Sequence, residues 1–324
     1  MAWQIIGHEW AVTLLRRGLE TGRVAHATLL CGPPQIGKTR LALTLAQALN
    51  CAAPDRPCGR CVSCLKIEQG THPDVRLVEG EGAGGGFKID QIRALQREAV
   101  LSPYEGPYRV FVLRRIDLAS LEAANSLLKT LEEPPEHVVL LLTAVQGDLL
   151  PTTVVSRCQR LDLRPVPRDE VETSLRDLGI SASRAQLLAR LSGGRVGWAL
   201  DASQDDRLLQ QRQENLDQLQ QILSSGRVER LDFAWQASRD VDASRTTIEL
   251  WTTWWRDLLL LYGEGEDHVV NVDRSEELGR VSRQSNLPQV QRVLSALQET
   301  VAQLDAYVNP RLALEGLLLK LPRW

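Results

Sequence analysis

The stretch Ala27-Thr-Leu-Leu-Cys-Gly-Pro-Pro-Gln-Ile-Gly-Lys-Thr39 decides the fold of this chain. It begins as a short, mainly apolar run that predicts a buried strand, and Thr39–Leu49 continues with the apolar spacing of a helix. Between them the sequence has the form G-x4-G-K-[ST], a loop whose backbone N–H groups and following helix N-terminus can cradle phosphate. The residues predicted to bind a nucleotide are Gly32, Gly37, Lys38 and Thr39.

Hydrolysis of a bound nucleotide needs more than this loop. Lys38 would reach the terminal phosphates and Thr39 would ligate Mg²⁺, but acids after a neighbouring strand must also hold the metal and position water. The strand predicted at Tyr108–Leu113 is followed instead by Arg114-Arg115, whose charges would repel a metal. We therefore expect a degenerate hydrolytic site. The alternative is that Asp117 compensates through a shifted loop.

The fold class follows from the alternation of strands and helices around the loop. Further strands are predicted at Val75–Val78, Val138–Leu142 and Gln159–Leu163, and further helices at Ile89–Leu101 and Ser120–Leu131. Such alternation predicts a parallel sheet covered on both faces. Beyond residue 165 the strand patterns end. We predict an α/β core at residues 1–165, a small helical domain at 166–205 and an all-helical domain at 206–324.

Four of the six cysteines lie within fourteen residues, at Cys51, Cys58, Cys61 and Cys64. In a cytosolic chain this density is typical of a tetrathiolate metal site rather than of disulfides. The sequence offers neither a base nor an open coordination position nearby, so the prediction is a structural zinc ion. The alternative is four cysteines that pack as small apolar side chains.

Composition narrows the class of protein. The chain has 324 residues, with 38 Lys and Arg against 41 Asp and Glu, a net charge of −3. This balance argues against binding nucleic acid by charge alone. The sequence has no run of about 18 apolar residues, and its N-terminus lacks the pattern of a signal peptide. We therefore expect a cytoplasmic protein with no membrane segment.

Arg157, in Ser156-Arg157-Cys158, precedes the last predicted strand. By position alone it is interpreted as a surface arginine that pairs with Asp162. The alternative is an arginine finger, a side chain that reaches the γ-phosphate of a nucleotide bound to a neighbouring subunit.

Several stretches together resemble one family, the AAA+ proteins of the bacterial DNA polymerase III clamp loader, which comprise the gamma/tau and delta-prime group. They are His26-Ala27 with the phosphate-binding loop, the four-cysteine insert, Asn125-Ser-Leu-Leu-Lys-Thr-Leu-Glu-Glu-Pro-Pro135, and Ser156-Arg157-Cys158. The resemblance covers at least residues 3–200, and Asn309–Glu315 is similar to the end of the family's last domain.

The resemblance implies an architecture and a set of partners. The fold would be a AAA+ RecA-like core with a zinc insert at 51–64, a helical lid at 166–205 and a helical collar at 206–324. The collar would join this chain to gamma/tau-like motor subunits and a delta-like subunit in a hetero-pentameric ring. The assembly would load a sliding clamp on primed DNA during replication.

Departures from the motor pattern imply which member this chain resembles. Motors carry Asp-Glu where this chain has Arg114-Arg115, a polar residue near Ala144-Val145, and a lid arginine where this chain has Gly197-Trp198. The resemblance to delta-prime, the non-hydrolysing member, implies that Arg157 is the arginine finger. ATP or ADP would then bind without hydrolysis, with Mg²⁺ left open, and the chain would not itself be catalytic.

Two other functions compete with this interpretation. A gamma/tau-like ATPase motor is favoured by the intact Lys38-Thr39 and disfavoured by Arg114-Arg115. A zinc-dependent DNA-binding adaptor is disfavoured by the acidic net charge and the scarcity of basic and aromatic clusters.

Overall fold

The computed structural model describes residues 3–82, 85–263, 265–305 and 308–323. The chain forms two compact units. The first unit comprises the residues up to Ser174 together with Gly194–Trp198, and the second comprises Leu175–Gly193 and the residues from Ala199 onward. The three predicted domains are not tested by this division and stay a prediction.

The first unit is built on a five-stranded sheet in which every pairing is parallel. The strands are β1 (Ala27–Cys31), β2 (Val75–Val78), β3 (Arg109–Leu113), β4 (Val138–Ala144) and β5 (Gln159–Asp162). Their order is β2-β3-β4-β1-β5, so the phosphate-binding loop follows a central strand. Every residue of β1 and β4 is buried, as expected for strands covered on both faces.

The helices that belong wholly or mainly to the first unit are α1 (Glu9–Glu20), α2 (Lys38–Asn50), α3 (Val62–Glu68), α4 (Ile89–Ala99), α5 (Leu121–Glu132), α6 (Thr152–Val155) and α7 (Arg168–Asp177). Helices α1 and α2 share one apolar cluster with Leu30 of β1, whereas α4, α5 and α6 share another with Leu29. Successive strand residues point to opposite faces, so both faces of the sheet are covered. The predicted α/β class is confirmed.

Helix α4 ends at Ala99, whereas the sequence pattern predicts it to Leu101. Proline disfavours the helical conformation in the residue before it, and Pro103 therefore acts against a helical Ser102. The side chain of Leu101 is consequently exposed rather than part of the apolar face.

Beyond α7 the structure is helical, as predicted. The helices are α8 (Ala182–Ser192), α9 (Val196–Gln204), α10 (Asp206–Ser224), α11 (Arg227–Ala237), α12 (Val241–Leu261), α13 (Ser275–Gln284), α14 (Leu287–Asp305) and α15 (Pro310–Lys320). Trp251, Trp254 and Trp255 of α12 are at most 1% exposed and form the centre of the core of the second unit. Among the described helices, none is both long and apolar enough to cross a membrane.

A buried arginine joins two helix ends in the second unit. The guanidinium of Arg230 donates to the carbonyl oxygens of Ile222 and Leu223 near the end of α10, and to those of Leu318, Leu321 and Pro322 at the end of α15. Burial lowers the pKa of this guanidinium. Helix C-terminal carbonyls carry partial negative charge, which compensates this buried cation, since no carboxylate among residues 3–82, 85–263, 265–305 and 308–323 pairs with it.

Candidate nucleotide, metal and arginine sites

The predicted site residues lie at two ends of the parallel sheet. Strand β1 leads directly into Gly32–Thr39, and β3 leads into Arg114–Asp117, so both segments follow strand carboxyl ends. We call this the P-loop end. We call the other end, where the strands begin, the opposite end, and Arg157 precedes β5 there.

The predicted nucleotide-binding residues come together in one loop. Lys38 is 7% exposed, and its Nζ donates to the carbonyl oxygens of Gly32 at 2.6 Å and Pro33 at 2.7 Å. Gly32 has φ +147°, and a Cβ there would lie 2.5 Å from the carbonyl oxygen of Leu163. Gly37 has φ +107° immediately before α2. Both positions therefore require glycine, and the loop has the conformation of a phosphate cradle.

His8, which the sequence did not single out, and Gly197, which the sequence marked only as a departure from the motor pattern, also hold this loop. The buried His8 places Nε2 3.1 Å from the carbonyl oxygen of Ile36, so Nε2 carries the proton. The backbone N–H of Gly197 donates to the carbonyl oxygen of Gln35 at 2.8 Å, and a Cβ on Gly197 would lie 2.8 Å from the same oxygen. Both contacts are distant in sequence, and no spacing pattern would have revealed them.

Arg115 neutralises the nearby acid at the P-loop end. Its Nε lies 3.2 Å from each carboxylate oxygen of Asp117 and its Nη2 lies 3.1 Å from Oδ2. The Asp117 side chain has no exposed surface. Arg115 adopts the left-handed conformation with φ +55°, and its N–H donates to Thr143 Oγ1 at 3.1 Å. The carboxylate that was expected as a possible substitute for the missing acids is thus paired within its own loop.

The other two departures from the motor pattern also lie at this end. Ala144 is fully buried at the end of β4, and the carbonyl oxygens of Ala144 and Val145 accept from the N–H of Gly32 at 3.2 and 3.1 Å. Their contribution to the loop comes from the backbone rather than from a polar side chain. Gly197 likewise contacts the loop through its backbone, as described above.

The four predicted metal ligands converge after α2. The sulfur atoms of Cys51, Cys58, Cys61 and Cys64 all lie within 4.8 Å of one another, and those of Cys51 and Cys61 are 3.9 Å apart. Zn–S bonds of about 2.3 Å in a tetrahedron place sulfurs roughly 3.8 Å apart. The cluster therefore fits a zinc ion.

Backbone N–H groups point at these sulfurs. The N–H groups of Cys58, Cys61 and Cys64 donate to the sulfurs of Cys51, Cys58 and Cys61, respectively, at 3.3 to 3.5 Å. Donation from the N–H groups of Arg60 and Cys61 lowers the pKa of the Cys58 thiol to about 6. Thiolate is the form that binds metal, so these contacts favour ligation by Cys58, whereas burial raises the pKa of the Cys51 and Cys64 thiols.

Arg157 has a different partner from the one predicted. Its Nη2 lies 2.6 Å from Oε1 of Glu132, and its Nη1 donates to the carbonyl oxygen of Thr153 at 2.9 Å. Asp162 instead accepts from Nε of Arg160 at 2.8 Å. The predicted pairing of Arg157 with Asp162 is therefore wrong, because β5 carries its own arginine at the position that faces Asp162.

Arg157 cannot serve the phosphate-binding loop of its own chain. Gln159, two residues later, aligns with Thr28 near the start of β1, whereas the loop follows Cys31 at its end. Strand β1 spans roughly 13 Å at about 3.3 Å per residue. A phosphate contacted by Arg157 would have to belong to another molecule.

A buried carboxylate organises the opposite end. Asp74 precedes β2, and its side chain accepts from the N–H groups of Tyr104 and Glu105 at 2.6 Å and of Gly106 at 2.9 Å. Burial opposes ionisation, but these three donors and the nearby Arg109 together lower the pKa of Asp74. The ionised carboxylate holds the loop that leads into β3.

Comparison with known proteins agrees with this arrangement. The family model described as "DNA polymerase III, delta subunit" matches residues 7–167, and its C-terminal counterpart matches residues 206–323. The chain is 29% identical to DNA polymerase III subunit delta' of Bacillus subtilis over 95% of this chain and 94% of that protein.

Two further proteins are similar to this chain. DNA polymerase III subunit tau of Escherichia coli is 35% identical over 60% of this chain, but this chain spans only 31% of its length. A gamma subunit-related protein from Thermotoga maritima, whose structure is solved, matches 95% of this chain and 97% of its own at 21% identity, with a TM-score of 0.46. The two family models and the nearly full-length delta' relative show that this chain belongs to the DNA polymerase III delta-subunit family of clamp-loader proteins.

Proposed function

We propose that this chain is a delta-prime-like clamp-loader subunit that does not hydrolyse ATP and that supplies Arg157 in trans to ATP held by a neighbouring motor subunit. The observation that carries the proposal is the contrast between the two ends of the sheet. At the P-loop end Arg115 neutralises Asp117, whereas at the opposite end Arg157 is 37% exposed and too far from its own loop.

The chemistry of the finger is electrostatic. Negative charge spreads over the transferring phosphoryl group in the transition state, and an arginine contributed by a neighbour stabilises that charge. Arg157 retains N–H donors for a phosphate, because a guanidinium has five donors and its contacts with the described residues, the ion pair with Glu132 and the hydrogen bond to Thr153, use two. The attacking water and the metal would be held by residues of the motor subunit.

Nucleotide bound to this chain would have a structural role. Gly32, Gly37, Lys38 and Thr39 would hold the phosphates of ATP or ADP. Asp117, the first acid after β3, is paired with Arg115, so its carboxylate would not bind Mg²⁺. Zinc held by the four cysteines would be structural, because four thiolates leave no open coordination position.

The remaining proposals concern the assembly. Residues 1–165 would form the nucleotide-binding core, 166–205 the lid and 206–324 the collar. The collar would place the chain in a cytoplasmic ring with gamma/tau-like motors and a delta-like subunit. Through this ring it would act on the sliding clamp and primed DNA.

The test is ATP turnover, stimulated by clamp and primed DNA, in a ring reconstituted with the cognate motor and delta subunits. Arg157→Ala is expected to slow the site that it serves by about 10³-fold, whereas Lys38→Ala leaves turnover nearly unchanged. Arg160→Ala is the matched control, because Arg160 lies three residues along and pairs with Asp148 and Asp162.

Other outcomes would favour the competing functions. If Lys38→Ala lowers ATP turnover by the share expected of one motor subunit, the nucleotide site of this chain hydrolyses ATP and the chain is a gamma/tau-like ATPase. If the isolated chain binds DNA with a steep salt dependence and Arg157→Ala has no effect in the ring, the zinc-dependent adaptor is the better description.

A further inference from the structure

We propose that Glu132 is a positioning residue for Arg157, holding the guanidinium in the orientation from which it reaches a neighbour's phosphate. The inference rests on the proposed function, and it gives a role to the Glu-Glu-Pro-Pro end of the stretch Asn125–Pro135. The two residues form a short ion pair, with Arg157 Nη2 2.6 Å from Glu132 Oε1.

The guanidinium is held at two points. Glu132 binds Nη2, and the carbonyl oxygen of Thr153, on the helix turn before Arg157, binds Nη1 at 2.9 Å. Two contacts on different nitrogens fix the plane of the group, which one contact would leave free to rotate. With five N–H donors in total, three remain for the oxygens of a phosphate.

The sequence fixes Glu132 at this place through the end of α5. Glu132 is the last helical residue, the N–H of Glu133 closes the helix on the carbonyl oxygen of Lys129 at 3.1 Å, and Pro134-Pro135 prevent continuation. The neighbouring Leu131 is 2% exposed and belongs to the same apolar cluster as the fully buried Val154 of α6. The acid and the arginine thus project from two short segments that are anchored in one core.

Electrostatics explains why Glu132 and Arg157 form an ion pair and why this pair contributes little to the free energy of unfolding. A carboxylate at a helix C-terminus faces the negative end of the helix dipole, so Glu132 gains from a cation. The side chains are 49% and 37% exposed, however, and ion pairs at such exposure contribute little to the free energy of unfolding. Orientation of the arginine is the effect that remains.

Glu133 provides a matched control. It is the next residue, it is also acidic and exposed, and its side chain makes no hydrogen bond or ion pair with the described residues. A change at Glu133 therefore removes the same charge from the same helix end without touching Arg157.

The first experiment uses the reconstituted ring. Glu132→Ala is expected to lower the stimulated kcat of the site served by Arg157 about 10-fold with the KM for ATP unchanged, since misplacement of a group is a loss in the transition state. Glu132→Gln keeps a hydrogen-bond acceptor and should recover most of the rate, and Glu133→Ala should match the unaltered chain. In an Arg157→Ala background, Glu132→Ala should cost nothing more.

Equal rates for Glu132→Ala and Glu133→Ala, or an equal loss with and without Arg157, would overturn the inference. A second measurement separates this failure from failure of the proposed function. In the isolated full-length chain, the ¹H–¹⁵N signal of Arg157 Nε, assigned by its loss in Arg157→Lys, should shift and gain mobility in Glu132→Ala but not in Glu133→Ala. If Arg157→Ala has no effect in the ring, this signal still decides whether Glu132 holds Arg157, and an unchanged signal rejects it.

Discussion

The two ends of one sheet use their charged residues in opposite ways. At the P-loop end, Lys38 donates to carbonyl oxygens of its own loop, and Arg115 forms an ion pair with Asp117, whose side chain is fully buried. At the opposite end, Arg157 is held at the surface by an exposed Glu132 and retains free donors. The P-loop end therefore keeps the conformation of a phosphate cradle while Asp117 is paired within its own loop, whereas the opposite end keeps a partly exposed arginine.

Under the proposed function, nucleotide binding and transition-state stabilisation are assigned to opposite ends of one sheet. Parallel strands place their carboxyl ends together, and the residues that precede the strands lie a strand length away. Loss of the acids at one end then leaves the arginine at the other unaffected. The following predictions test how independent the two ends are.

The largest effect is expected from the cysteine cluster. The cluster lies near the opposite end of the sheet, because Asn50, at the end of α2 and next to Cys51, accepts from the N–H of Tyr108 just before β3. Cys58→Ser should reduce zinc from one ion per chain to none and lower the thermal midpoint, since structural zinc sites in small peptides supply on the order of 10 kcal/mol of apparent binding free energy. Metal content and calorimetry provide the measurement.

Cys158→Ser is the control, because Cys158 lies apart from the cluster and should leave one zinc bound. Nucleotide affinity of the P-loop end should change little in Cys58→Ser if the two ends are independent. A Cys58→Ser chain that still carries stoichiometric zinc would show that this cysteine is not a ligand.

A smaller effect is expected at Asp74. Asp74→Asn removes a buried charge that three N–H groups satisfy, and should cost about 3 kcal/mol at pH 7. The pKa of Asp74 is lowered in the folded chain. The contribution of Asp74 to the free energy of unfolding is therefore fully present above the pKa of the unfolded chain, about 3.9, and is lost as the pH falls through the pKa of the folded chain. The difference between the two chains should therefore shrink below about pH 4.

Urea unfolding at pH 7, 5 and 3 measures this difference. Asp90→Asn is the control, because the Asp90 side chain is 87% exposed and should have little effect at any of these pH values. A stability difference for Asp74→Asn that stays constant down to pH 3 would contradict the role assigned to its ionised carboxylate.

The smallest effect compares two adjacent arginines at the P-loop end. Arg115→Ala leaves the buried Asp117 carboxylate unpaired and should cost about 2 kcal/mol, less than the loss of a fully buried pair because the Arg115 side chain is 36% exposed. Arg114→Ala breaks a surface pair with Glu79 and should cost less than about 0.5 kcal/mol. Equilibrium unfolding in urea measures both, and equal losses would mean that Arg115 does not neutralise Asp117 in the way described.

Local patterns predicted most of the sheet. Strands β1 and β2 have the predicted bounds, and Ser120 caps α5 as predicted, its Oγ accepting from the N–H of Ala123 at 3.2 Å. Helices α1 and α6 were not predicted. Helix α1 begins at Glu9, after His8, which makes no side-chain cap, although Ala11, Leu15 and Leu19 give this helix an apolar face. Helix α6 has only four residues and a weak local signal.

The candidate site residues likewise divide into those that local spacing predicts and those that it does not. The spacing of the phosphate-binding loop and of the four cysteines was sufficient to identify both groups, because each is formed by residues close in sequence. The pairing of Arg157 with Glu132 and the contacts of His8 and Gly197 were not predictable, because they join segments far apart in the chain.

The amino-acid sequence by itself therefore determined the parallel α/β class, the phosphate-binding loop, the cysteine cluster and the replacement of acids by Arg114-Arg115. These are properties of local spacing and residue chemistry. Only the tertiary structure decided that Asp117 forms an ion pair with Arg115. It also decided that Arg157 pairs with Glu132 at the end of the sheet away from the phosphate-binding loop of this chain. The first pair is local in sequence, but the left-handed backbone of Arg115 and its N–H bond to Thr143 of β4 orient it. For Arg157, strand order and register set the distance from the loop, because strand pairing relates residues that no local pattern relates.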